Sequence, residues 1–95
     1  MDKVGASDGV FRNLLEMAER KLEEPSGELE ALSMLIVAAV YRETGRLMSP
    51  AVARESFKIR FPERRALLLP LEEEVGGEPA RESAEELLRY LKSGL

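Results

Sequence analysis

Residues 29–41, LEALSMLIVAAVY, decide the fold. From Ala31 to Tyr41 the only polar side chain is Ser33, so a helix through this stretch is apolar on every face and belongs in an interior. Glu30 and Arg42 bracket an apolar run of 11 residues, well short of the ~20 that a bilayer span requires. The expectation is a hub helix, wrapped by the rest of the chain, with no membrane span.

On the N-terminal side of the hub, Ser7 or Asp8 can cap a first helix. Phe11, Leu14, Leu15, Ala18 and Leu22 recur at helical spacing, with Arg12, Glu16, Glu19, Arg20 and Glu23 on the other side. Pro25 disfavours helix at Glu24, and Pro25-Ser26-Gly27 reads as a short turn. Ser26 is then expected to cap the hub helix. Glu28 and Glu30 fall in that helix's positive first turn and Arg42 in its last, before Gly45 as a left-handed stop. Two antiparallel helices joined by a tight turn follow.

On the C-terminal side, Ser49-Pro50 pairs a hydroxyl cap with a residue pre-set for the first helical position, so a third helix begins at Pro50. Its end is ambiguous. Phe57-Lys58-Ile59-Arg60-Phe61 alternates apolar and charged residues like a half-buried strand, yet Phe57 and Phe61 are also one helical turn apart. Pro62 stops either element. Beyond it, residues 62–69 read either as a further helix interrupted at Pro70 or as the turn and second strand of a hairpin. Leu71 to Val75 reads as a short acidic helical turn ended by Gly76-Gly77. The last helix opens near Pro79, carries Ala80, Ala84, Leu87, Leu88 and Leu91 on one face, and stops at Gly94. The fold class expected is all-α: residues 1–95 as a single-domain bundle of four to five helices around a central apolar helix. The alternative is a helix-turn-helix with a short β-hairpin at 57–69.

Composition narrows the function classes. The chain has no Cys and no His, which closes thiolate metal sites, disulfides and the commonest general base near neutral pH. Residues 1–8 lack an apolar segment of the secretory kind, so a cytoplasmic location is expected. There is no Gln, a single Asn (Asn13), and ten Arg against four Lys among 34% charged residues, a pattern that suits a high-temperature organism. The net charge of −4 hides an asymmetry: residues 1–41 sum to −4, residues 42–65 to +4, and residues 66–95 to −4.

Candidate chemistry is sparse. Successive glutamates at 72–74 point in different directions on a helix and cannot converge on one ion. Gly5 and Gly9 lack the Gly-Lys-Ser/Thr of a phosphate loop. Tyr41 and Tyr90 sit near apolar stripes and read as core or boundary residues. The start of the third helix can hold an anion in principle, with Arg46 and Arg54 nearby, but every helix start shares that property. No catalytic, cofactor-binding or metal-binding residue is assigned, no small-molecule substrate is indicated, and the expectation is a protein without enzymatic activity.

Two function readings remain. In the first, a helical interaction module, an accessory or regulatory subunit, binds another protein or a second copy of itself through the apolar surplus at 57–71: Phe57, Phe61, Leu67, Leu68, Leu69 and Leu71. In the second, a nucleic-acid-binding domain of helix-turn-helix or winged-helix type uses the basic 42–65 segment, with Arg46, Arg54, Lys58, Arg60, Arg64 and Arg65 neutralising phosphates. Peripheral binding to an anionic membrane draws on the same residues but lacks an interfacial Trp.

Overall fold

The apolar run at 31–41 is buried nearly all round: Ala31, Leu32, Leu35, Ile36, Val37, Ala38, Ala39, Val40 and Tyr41 all lie in the interior. They belong to α2 (Glu28–Thr44), which packs against α1 (Asp8–Glu23), α3 (Pro50–Arg60), α4 (Leu69–Glu73) and α5 (Glu78–Lys92) in a computed structural model that describes residues 8–93. The molecule is a small all-α bundle around a central helix. No helix among the described residues is long and apolar enough to cross a membrane.

Each outer helix gives one stripe to the hub. α1 buries Phe11, Leu15, Ala18 and Leu22, and α5 buries Ala80, Ala84, Leu87 and Leu91. Three hub alanines, Ala31, Ala38 and Ala39, are fully buried and let neighbouring backbones approach closely. Leu14 lies at the edge of the α1 stripe and is only partly covered. The local stop and start signals after α2 hold: Gly45 adopts φ 75° and returns its N–H to the Tyr41 carbonyl, and the Ser49 hydroxyl accepts the Val52 N–H at 3.4 Å.

The hairpin alternative is overturned. Residues 57–60 finish α3, residues 62–68 form a 3-10 segment, and there is no strand among the described residues. Phe57 and Phe61, one turn apart, stack at 4.7 Å inside the bundle, while Ile59 points outward, which is how a helix can imitate a strand's alternation. Pro70 does not interrupt a helix; it sits in the first turn of α4, where its missing N–H costs nothing. α4 ends at Glu73, with Glu74 rather than Gly76 taking the left-handed stop. The expected cap at Ser7 and stop at Gly94 lie outside the described residues.

Ser26 is the other correction. The α2 N-cap is Gly27, with no side-chain cap, and Ser26 is the turn residue with φ 62°. A Cβ on Gly27 would lie 2.1 Å from the Lys21 carbonyl oxygen, so only glycine fits there, and the left-handed position falls to serine. The Gly27 N–H closes the turn onto the Glu24 carbonyl at 3.1 Å.

Two arginines fasten the ends of the bundle by donating to carbonyls in the last turns of helices, where intrahelical partners run out. Arg81 of α5 reaches the Leu22 carbonyl at 2.6 Å, and Arg42 of α2 reaches the Leu91 carbonyl at 3.0 Å. Gly27→Ala is expected to lower the melting midpoint by roughly 10 °C or more, as for a loss of about 2 kcal/mol. Ser26→Gly, by relieving left-handed strain of about 1 kcal/mol, raises the midpoint by a few degrees; circular dichroism on heating measures both.

Candidate docking cleft

Around α2 the neighbours run α1, α5, α4 with the 3-10 segment, then α3. α1 packs closely on α2 alone among the described helices. A cleft of about 320 Å³ lies between α1 and the start of α3, lined by Leu14 of α1, Met34 and Val37 of α2, Leu47 and Met48 of the connection, and Pro50 at the start of α3, with Glu30 and Ser33 at its polar edge. Its floor is Met34, partly covered, and Val37, almost wholly buried.

The connection 45–49 builds one wall. Gly45 turns the chain out of α2, and the Thr44 hydroxyl locks the exit by donating to the Val40 carbonyl at 2.8 Å and accepting the Arg46 N–H at 3.1 Å. The chain then runs extended until Ser49 caps α3. Met48 turns inward and is partly covered, whereas Leu47 remains 63% exposed at the mouth. Leu47 also borders a shallow depression along α1 formed with Val10, Asn13 and Glu16.

The residues expected at an interface in 57–71 are placed differently. Phe57, Phe61, Leu67 and Leu68 lie in the protein's own core, and Leu71 packs against it half-covered. Of these six only Leu69, 48% exposed, faces outward, beside Pro70, Val75 and Pro79 in a second concavity of about 320 Å³. Most of the apolar surplus of that segment closes the bundle, and Ile59 and Leu69 stay exposed.

The basic residues do not share one face. Lys58 bridges Glu55 at 3.2 Å and Glu72 at 3.0 Å, and hydrogen bonds to Glu72 and then Glu55 hold its ammonium charged above the ordinary lysine range. Its pairing therefore contributes fully at neutral pH and is lost only as pH climbs through that raised value. Arg64 is folded in, its guanidinium 3.7 Å from the Tyr90 ring centroid. Tyr90 also takes the Phe61 ring edge-on at 6.4 Å, the boundary role expected of it. Arg60 donates to the Ser56 hydroxyl at 3.3 Å, Arg54 is half-buried, and Arg46 is exposed in the 45–49 connection and Arg65 on the 3-10 segment. Among the described residues no group of three or more acidic side chains could hold a metal ion.

Sequence reasoning missed the cleft. Its one local sign was Leu47-Met48, two apolar residues in a connection where polar ones are usual. Leu47→Ser is expected to leave stability within about 0.5 kcal/mol, whereas Phe57→Ala, which empties a fully buried site, costs about 3–5 kcal/mol; urea unfolding of both variants measures the contrast. Comparison with protein-family models, curated proteins and solved structures returns no match.

Proposed function

We propose that the protein is a non-enzymatic helical interaction module, an accessory or regulatory subunit whose contact surface is the cleft between α1 and α3. The observation that carries this reading is the apolar cleft: Met34 and Val37 form its floor, with Leu14, Leu47, Met48 and Pro50 as walls. Concave apolar sites with a few polar groups at the edge are where partners bind. Amphipathic helices are one class of partner that lies in such a groove. Two methionines among the lining residues suit a surface that adapts to its occupant. Isolated exposed apolar side chains are ordinary, but their convergence on one concavity is not.

A photo-crosslinking residue placed at Leu47 tests this in the native host. A discrete adduct from position 47, absent when the same probe stands at Glu86 on the outer face of α5, is the expected result. Equal labelling at both positions, or no adduct at 47, removes the cleft as a docking surface.

A further inference from the structure

We propose that residues 46–56, the connection after α2 and the first part of α3, form a strap that lifts from the hub as a unit, and that its lifting opens the cleft. The lifting is independent of what docks; its role as a gate rests on the cleft being a docking surface.

The strap hangs between two firm anchors. At one end Gly45 closes α2 with its N–H on the Tyr41 carbonyl, and at the other Phe57 is fully buried and stacked on Phe61. Of the 11 residues between them only Ala53 is buried, with Met48, Arg54 and Ser56 half-buried. Polar contacts are equally local among the described residues. The Arg46 N–H goes back to the Thr44 hydroxyl and the Val52 N–H to Ser49, while Glu55 pairs with Lys58 and Ser56 accepts from Arg60. Apart from Thr44 at the end of α2, every one of these partners lies in α3 or its own connection. By contrast, α1 and α5 are each held by four buried residues, and Arg81 and Arg42 tie their last turns to other helices. Segments with few buried apolar contacts and no long-range bonds open at lower free energy than the whole fold.

The strap carries Leu47, Met48 and Pro50, half of the six apolar residues that line the cleft. While it is closed, Val37 on the floor is only 8% exposed, too little for a partner to grip. Lifting the strap takes one wall away and bares that floor. A partner that binds the open form then draws the population toward it.

The experiment is native-state hydrogen exchange, amide by amide, on the purified full chain. Amides of residues 52–56 are expected to exchange at least about 10-fold faster than those of residues 35–40 in α2 and 84–91 in α5. Low guanidinium hardly changes the strap rates and raises the hub rates steeply, because a local opening exposes little surface. Arg81→Met, which cuts bonds among α1, α2 and α5, speeds the hub amides and leaves 52–56 unchanged, since closed and open forms lose the same contacts. Strap amides as slow as the hub's, with the same denaturant slope, overturn the proposal. The gate is read with Ala53→Gly, which removes the strap's one buried side chain and speeds 52–56. The yield of adduct from a diazirine analogue of methionine at Met34, on the cleft floor, is expected to rise with it in the native host. An unchanged yield despite faster strap exchange overturns the gate. Should the strap exchange as expected while neither position 34 nor position 47 gives an adduct, the lifting stands and the docking reading falls.

Discussion

The structure depends on burying one helix with no polar face. An amphipathic helix needs a neighbour on one side; α2, with nine interior residues and little side-to-side contrast, needs neighbours all round. Each large apolar side chain removed from water contributes about 1.5–3 kcal/mol, so each uncovered flank is a matching loss. The other helices are arranged as walls. α1 and α5 are long and amphipathic and cover two sides well, while α3, the 3-10 segment and α4 are short and cover the third in pieces. Among the described residues the walls leave a cleft between α1 and the start of α3.

What keeps the walls in place is a set of arginines used as ties. Arg81 ends α1 by donating to its Leu22 carbonyl and bridges Glu28 and Glu85 at 3.6 Å each, joining α1, α2 and α5 at one end. Arg42 does the corresponding work at the other end, donating to Leu91 with its guanidinium 5.1 Å from the Phe11 ring and 5.8 Å from the Tyr90 ring. Arg64 stacks on that same Tyr90. A planar guanidinium can stack and donate at once, which a lysine ammonium does poorly. Charge counted along the sequence therefore overstates the charge offered to a partner: part of the basic middle segment is mortar.

The elements legible in the sequence are those decided locally. The apolar run at 31–41, the stripe from Phe11 to Leu22, the Ser49-Pro50 start and the Gly45 stop each depend on residues within a turn or two of one another. The misread positions depend on something distant. Ser26 looks like a cap until the Lys21 carbonyl, six residues back in chain but 2.1 Å from a Cβ at Gly27, claims the glycine. The 57–61 alternation has two solutions, and the choice between them falls to the core, which accepts Phe57 and Phe61 together and leaves Ile59 outside. Whether the apolar residues at 57–71 are surplus is not legible locally, because it depends on how much hub surface the other helices leave for them to cover. The cleft draws on α1, α2, the 45–49 connection and α3, and no window of sequence contains it.

This geometry also explains why the exposed apolar residues lie where they do. α3 buries only Ala53 and Phe57 among its 11 residues, too narrow a stripe to hold a helix firmly against a core. The Phe57–Phe61 stack anchors its far end and the Ser49 cap fixes its start, which leaves its outer face free of any part in the fold. Stability within the chain gives no reason for Val52 or Ile59 to be apolar; an arginine or glutamate there would satisfy α3 equally well. Leu47 is equally unconstrained, since the exit from α2 is locked by Gly45 and Thr44 before the chain reaches it. Leu47, Val52 and Ile59 are therefore exposed apolar side chains that the fold does not require, and of the three only Leu47 stands beside the cleft floored by Met34 and Val37.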